Sequence, residues 1–155
     1  MRSLLVLVSY HHNNTEIIAN VFAQVLDAET KTPQQIKPDE LQAYDLVGFG
    51  SGIYGAQHHK AVLDLADALP QVTDRKAFIF STSSGLEPIA KNHALLREKL
   101  ESKGCTIVDE FSCKGFNTNS FIKIIGGMNK GRPNARDLKR AEKFAQNLQR
   151  VARGS

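Results

Sequence analysis

The sequence lacks tryptophan, has only two cysteines among its 155 residues, and contains no long hydrophobic run. A helix that spans a bilayer needs about 18 consecutive apolar residues, whereas the run near the start of the chain, Leu4–Val8, has five. This run is also too short for the apolar region of a signal peptide, and no small-residue cleavage site follows it. We therefore expect Leu4–Val8 to be a buried strand and the protein to be cytoplasmic.

The two cysteines, Cys105 and Cys113, are eight residues apart and do not have the spacing of a metal or redox motif. If they lie on one strand, their separation is about 26 Å at roughly 3.3 Å per residue. A disulfide needs Cα atoms within about 7 Å of each other. On one strand, Cys105 and Cys113 therefore cannot form a disulfide with each other.

The length suits one domain with its own hydrophobic core. We expect it to cover residues 1–153, with Gly154 and Ser155 as a remnant outside it. The net charge of +4 is unevenly distributed: residues 123–155 carry nine basic and two acidic side chains, hence +7, which leaves −3 for residues 1–122. Such a basic segment either meets an acidic partner or nucleic acid, or is simply a solvated helix face.

Apolar runs of strand length alternate with apolar residues at helical spacing, which is typical of α/β proteins with a parallel sheet. The expected strands are Leu4–Val8, a short edge strand within 28–37, Asp45–Gly50, Ala77–Phe80 and Cys105–Cys113. The expected helices contain Ile17–Val25, Val62–Leu69, Leu95–Leu100 and Leu138–Leu148, the last one capped by Asn134 together with Asp137.

Ligands of such sheets bind beyond the carboxyl ends of the strands. The turns expected after the first, third and fourth strands are rich in small, hydroxyl and amide residues, a composition that suits a phosphate and a polar heterocycle. They comprise Tyr10, His11, His12, Asn13, Asn14 and Thr15; then Ser51, Gly52, Ile53, Tyr54 and Gly55; then Thr82, Ser83, Ser84 and Gly85. The first turn enters a helix directly, and a helix N-terminus offers unpaired N–H groups to an anion. The alternative for this turn is a plain helix cap.

These three segments resemble segments of the flavodoxin family, and they follow one another along the chain in the same order as in that family. The segment from Val8 to Ala19 resembles the flavodoxin signature, in which a hydroxyl-rich turn ends in Asn-Thr, here Asn14 and Thr15, and an alanine follows four residues later. The segment from Asp45 to Gly55 is similar to the flavodoxin loop that covers one face of the flavin ring, and the segment from Phe80 to Gly85 is similar to the loop at its other edge.

The resemblance implies a flavodoxin-like three-layer α/β sandwich with a five-stranded parallel sheet in the order 2-1-3-4-5. It also implies bound flavin mononucleotide (FMN), with its phosphate at residues 11–15 and Tyr54 against the isoalloxazine ring. The chain departs from the family at Tyr10 and His12, where flavodoxins usually carry hydroxyls. It departs again at Ser83 and Ser84, one of which stands where a ring-stacking aromatic is common.

Two further patterns suggest a dinucleotide site and a metal site, but in each case an expected residue is absent. The Gly50–Gly55 segment matches a dinucleotide-binding motif, but no carboxylate ends the next strand. The pairs His11–His12 and His58–His59 suggest a metal, yet no cysteine or carboxylate completes a set. We expect His93 to be a surface helix residue. We find no Ser/His/Asp or Cys/His arrangement, and we assign no catalytic residue.

We therefore expect an FMN-binding electron carrier with a protein redox partner, for which the basic C-terminal segment favours an acidic protein. We expect no membrane or nucleic-acid partner. The alternatives are an FMN-dependent reductase of a small molecule such as a quinone, and a non-redox protein that binds through its basic C-terminal face. The glycine-rich stretch 114–133 is expected to face the partner or substrate, with Lys114 and Phe116 near the flavin; alternatively it is a simple connector.

Overall fold

The computed structural model describes residues 1–9, 14–85, 87–115 and 132–154. The strands are β1 Ser3–Val8, β2 Glu29–Lys31, β3 Leu46–Tyr54, β4 Gln57–His58, β5 Arg75–Ser83 and β6 Cys105–Lys114. The helices are α1 Asn14–Leu26, α2 Lys60–Ala68, α3 Ile89–Ser102 and α4 Ala135–Gly154, with short 3-10 turns at Pro33–Gln35 and Pro38–Ala43. No helix in these ranges is long and apolar enough to cross a membrane.

Five strands form one parallel sheet in the order β2-β1-β3-β5-β6. Counted along the chain without β4, this is the predicted order 2-1-3-4-5. The two-residue strand β4 was not predicted; it pairs antiparallel to the end of β3. Both cysteines lie on β6 and are free thiols, as their spacing requires.

The sheet is covered on both faces, which explains why its inner strands are continuously apolar. One face packs on α2 and α3 through Val47, Phe49 and Ile79 of the sheet. The other packs on α1 and α4 and contains an aromatic cluster of Phe22, Phe78, Phe80, Phe111 and Phe144.

Two glycines of β3 make room for this aromatic cluster. A Cβ on Gly48 would lie 2.3 Å from the ring of Phe78, and one on Gly50 would lie 2.2 Å from the ring of Phe80. Phe22 meets the Phe80 ring edge to face at 5.2 Å between centroids, a favourable geometry for aromatic pairs. Gly48 and Gly50 therefore provide the space that the packed rings of Phe78 and Phe80 occupy.

The predicted cap of the last helix is confirmed. The backbone N–H of Asp137 donates to Oδ1 of Asn134 at 3.0 Å, and the backbone N–H of Asn134 donates to the Asp137 carboxylate at 2.8 Å. The Arg132 guanidinium also donates to this carboxylate, at 2.6 Å. Burial opposes ionisation of Asp137, but these hydrogen bonds prevail and hold its pKa below the usual value. The reciprocal cap fixes where α4 begins.

Candidate functional site at the carboxyl edge

The carboxyl ends of β1, β3, β5 and β6 meet at one edge of the sheet. Val8 pairs with Ser51, Ser51 pairs with Ser81, and Ser81 pairs with Ser112. The ends of the central strands are therefore level with one another. We call this region the carboxyl edge.

Of the first predicted turn, the structure describes Asn14 and Thr15; Tyr10, His11, His12 and Asn13 lie outside the described residues. Both side chains are buried at the start of α1. The Thr15 hydroxyl lies 2.9 Å from the hydroxyl of Thr82, so the first and third predicted segments touch. Ser9 accepts a hydrogen bond from the backbone N–H of Glu16 at 3.1 Å, which satisfies one free donor of the first helical turn.

The second predicted turn is wrong in its local structure. Ser51, Gly52, Ile53 and Tyr54 continue β3, and the chain reverses only at Gly55 and Ala56. Their φ angles, +59° and +62°, are typical of the type I′ turns that close two-residue hairpins. The strand continues because Ser51 and Gly52 keep their pairing with β5 and because Ile53 and Tyr54 favour strands.

The hairpin presents Tyr54 at the carboxyl edge. Its side chain lies over Gly52, where a Cβ would be 3.3 Å from the phenol oxygen. Its ring meets that of His59 edge to face at 5.5 Å. The Ser51 hydroxyl accepts from the His59 backbone N–H at 2.9 Å, which ties the hairpin to the start of α2. Tyr54 remains 37% exposed.

The third predicted turn is shorter than expected, because Thr82 and Ser83 belong to β5 and only Ser84 and Gly85 bend away. The backbone of Ser83 accepts from the N–H of Gly115 at 3.1 Å, and its hydroxyl accepts from the N–H of Gly85 at 3.1 Å. Pairing with β6 as far as Lys114 explains why the strand extends this far.

Large apolar side chains are exposed on three elements that begin or end at this edge. Ile17 in the first turn of α1 is 38% exposed, Tyr54 is 37% exposed, and Ile89 at the start of α3 is 37% exposed. The other two exposed large apolar residues of the described chain, Met1 and Val151, lie toward the opposite edge of the sheet. Exposed apolar side chains on elements that meet at a polar edge are typical of a ligand site.

Sequence reasoning missed a buried polar chain beside this edge. Ser81 lies 2.7 Å from Nε2 of His93, and Nδ1 of His93 lies 2.8 Å from the carboxylate of Glu110. Arg97 binds the same carboxylate with two nitrogens, at 2.6 and 2.7 Å. His58 lies against this chain, its ring centroid 4.9 Å from that of His93.

Two expectations are corrected here. His93 is fully buried, not a surface residue, and a Ser/His/acid arrangement does exist. The sequence held a signal for the first point, since His93 has helical spacing to the buried Leu96 and Leu100. Ser81 is itself inaccessible to solvent, so this arrangement offers no nucleophile to a substrate.

Burial governs the protonation of these groups. It lowers the pKa of His58 to about 3, with repulsion from a charged His93 as the next cause. Burial likewise lowers the pKa of His93, against the opposing pull of Glu110. Burial would raise the pKa of Glu110, but hydrogen bonds from Arg97 and His93 lower it overall. At neutral pH the rings of His58 and His93 are therefore neutral, and Glu110 forms an ionised pair with Arg97.

Among the described residues, no three histidine, cysteine or acidic side chains lie close enough together to hold a metal ion. Neither His11–His12 nor most of the stretch 114–133, including Phe116, falls within the described ranges. Lys114 does, as the last residue of β6, and its ammonium group donates to the carbonyl of Gly85.

The fold agrees with comparisons to known proteins. The chain belongs to the flavodoxin domain family, whose model matches residues 5–119. An uncharacterized protein of Methanocaldococcus jannaschii is 44% identical over 150 residues, which cover 96% of this chain and 98% of that protein.

Solved structures share the fold at low identity. A flavodoxin from the domain Archaea superposes with a TM-score of 0.68 at 12% identity, over 99% of both chains. A Streptococcus pneumoniae TIGR4 flavodoxin superposes with a TM-score of 0.72 at 15% identity, over 96% of this chain and 97% of the other.

Proposed function

We propose that this protein binds FMN at the carboxyl edge and carries electrons between proteins of the cytoplasm. The observation that carries the proposal is that three elements which meet at the carboxyl edge, with its hydroxyl and amide groups, expose the large apolar side chains of Ile17, Tyr54 and Ile89. A flat heterocycle with a polar rim needs this combination. Membership of the flavodoxin domain family supports the same cofactor.

Different described residues fit the phosphate end and the ring end of FMN. The start of α1 offers backbone N–H groups and a positive dipole end to the phosphate, and the side chains of Asn14 and Thr15 add donors to them. Tyr54 offers an aromatic surface to the ring. FMN supplies the redox chemistry, while the protein positions it and tunes its potential.

The phosphate end is tested by replacing Asn14 and Thr15 together with alanine. FMN should bind more weakly by about 1–3 kcal/mol, the scale of hydrogen bonds to charged groups. The assay is titration of the apoprotein followed by flavin absorbance and fluorescence. A matched control replaces Asn20 and Thr30, which are exposed residues of the same types elsewhere. Equal FMN affinity in the double variant and its control would contradict this placement.

The ring end is tested at Tyr54. Tyr54→Ala should weaken FMN binding, since aromatic stacking contributes about 0.5–1.5 kcal/mol beyond area burial. It should also brighten flavin fluorescence by removing a quenching ring. Tyr54→Phe keeps the ring and serves as the control. Native affinity and emission in the alanine variant would refute the contact.

We further propose an acidic protein as the redox partner. Helix α4 exposes one acidic side chain, Glu142, and six basic ones within its described residues. These six residues define the basic face: Arg136, Lys139, Arg140, Lys143, Arg150 and Arg153. Their spacing of mostly three, four or seven residues places them on one side of the helix. The helix begins at the carboxyl edge, so this face extends from the proposed flavin site.

Such a face speeds encounter with an acidic partner and makes the rate depend on salt. The test is the electron-transfer rate with an acidic electron-transfer protein, measured against ionic strength. A variant with Arg136 and Lys143 replaced by glutamine should react more slowly and show a smaller salt slope. Replacement of Lys31 and Lys37, which lie off the basic face, is the matched control. Equal rates and slopes in both variants would refute the proposal.

A further inference from the structure

A hydrogen-bonded chain leads from the carboxyl edge into the interior. An open cleft of about 350 Å³ is lined in part by Ser83, Gly85 and Ser112. The hydroxyl of Ser112 lies 3.3 Å from that of Ser81, and Ser81 lies 2.7 Å from Nε2 of His93. Two hydroxyls thus connect a solvent-accessible cleft to a fully buried imidazole.

The far end of the chain fixes the ring of His93. A carboxylate oxygen only accepts hydrogen bonds, so Nδ1–H of His93 donates to Glu110 at 2.8 Å. In the neutral ring, Nε2 is then an acceptor and the Ser81 hydroxyl donates to it. Glu110 is held by Arg97 in a two-pronged ion pair, which keeps the carboxylate ionised whatever the state of the ring.

The Ser81 hydroxyl has two possible acceptors. If Nε2 of His93 gains a proton, it becomes a donor to Ser81, and the Ser81 hydrogen turns to Ser112. Both protonation states are therefore fully hydrogen-bonded without movement of heavy atoms. A purely structural core histidine does not require this second acceptor.

Of the two neighbouring rings, His58 and His93, only His93 can gain a proton. Its Nε2 lies 2.9 Å from the carbonyl oxygen of Phe80 and must donate to it, while its Nδ1 has no hydrogen-bond partner within the described residues. A proton on Nδ1 of His58 would be buried without a hydrogen-bond acceptor among the described residues. The ring centroids of His58 and His93 are 4.9 Å apart, so it would also lie close to His93. His93, with Glu110 beside it, is the ring that can hold a proton.

We propose that His93 is a redox-linked proton site: when flavin at the carboxyl edge gains electrons, Nε2 of His93 gains a proton and the Ser81 hydrogen turns to Ser112. This inference rests on the proposed FMN function. The electrons come from the reductant, a donor protein or dithionite, and the proton comes from water in the cleft.

The charges facing His93 account for the direction of the effect. Glu110 from β6 favours the protonated ring, Arg97 from α3 opposes it, and a charged His58 from β4 would oppose it as well. Because burial lowers the pKa of His93, the ring is neutral at rest near neutral pH. Added negative charge at the edge shifts the balance toward protonation, and by linkage protonation favours reduction.

The test compares the native protein with His93→Gln after FMN loading. Glutamine can still hydrogen-bond to Ser81 but cannot titrate in this range. The two-electron midpoint potential is measured from about pH 5 to about pH 8, where histidines change charge. The native protein should show a steeper slope by up to about 30 mV per pH unit, the value of one additional proton per two electrons.

A second measurement uses the native protein alone. Histidine NMR titration should show a higher pKa for His93 in the reduced than in the oxidised protein. This measurement stands even if His93→Gln fails to fold. Identical potential slopes in folded variant and native protein, or one His93 pKa in both redox states, would overturn the inference while FMN binding stands. Absence of FMN binding would instead overturn the proposed function, and this inference with it.

Discussion

Acid should destabilise this protein through His58, and His58→Gln should reduce the acid sensitivity of its stability. His58 is 1% exposed, and burial holds its folded-state pKa at about 3, against 6.5 in the unfolded chain. A histidine with a lowered folded pKa stays neutral in the folded state while the unfolded chain binds a proton. The free energy of unfolding therefore falls as pH decreases from about 6.5 toward about 3.

The magnitude follows from the two pKa values. Each pH unit within that window is worth about 1.4 kcal/mol, so His58 alone removes about 2 kcal/mol between about pH 7 and about pH 5. The lowered pKa of His93 acts in the same direction. His58→Gln keeps a donor for the Phe80 carbonyl but has no titrating group. Its loss of stability over this pH range should be about 2 kcal/mol smaller than that of the native chain.

The assay is urea unfolding followed by circular dichroism at both pH values. The native-to-variant difference at about pH 7, where unfolded histidine is mostly neutral, measures lost packing and serves as the internal control. The change in this difference in unfolding free energy on acidification measures the contribution of His58 protonation in the unfolded chain. Equal acid sensitivity in the two chains would refute the assignment of His58 as a buried neutral ring.

Further stability predictions follow from the helix cap, the core and the buried thiol. Asn134→Ala should lower the free energy of unfolding by about 0.5–2 kcal/mol, the usual value of a helix cap; an unchanged denaturation midpoint would contradict the reciprocal cap. Gly50→Ala should cost about 1–3 kcal/mol, because its Cβ would lie 2.2 Å from the packed ring of Phe80. Gly154→Ala, whose Cβ meets nothing within 4 Å, is the control. Cys113, whose pKa burial raises to about 12, should resist alkylation until the protein unfolds; rapid labelling of the native protein at this residue would contradict its burial.

The order of the elements was predictable because each strand is a short apolar run with a helix period after it. Leu4–Val8 and Ala77–Phe80 are buried on both faces, and parallel strands with covered faces leave this pattern in the sequence. The strand ends were not predictable. Ser51, Thr82 and Ser83 have the composition of a turn, but hydrogen bonds to neighbouring strands keep them extended.

That the predicted segments meet at one edge of the sheet was predictable, but the buried polar layer behind them was not. Asn14, Tyr54 and Thr82 reach one edge because the ends of parallel strands converge there. The contacts of His93 with Ser81 and Glu110 span twelve and seventeen residues of sequence. Such long-range contacts depend on how α3 packs against the sheet, which periodicity alone does not specify.

The measurement that tests the central claim most directly is titration of the purified protein with FMN and, separately, with riboflavin, followed by flavin absorbance and fluorescence. We expect FMN to bind in a one-to-one complex with a shifted visible spectrum. Riboflavin should bind more weakly, because it lacks the phosphate that the start of α1 would hold. An FMN spectrum unchanged by the protein would contradict the proposal that this protein binds FMN.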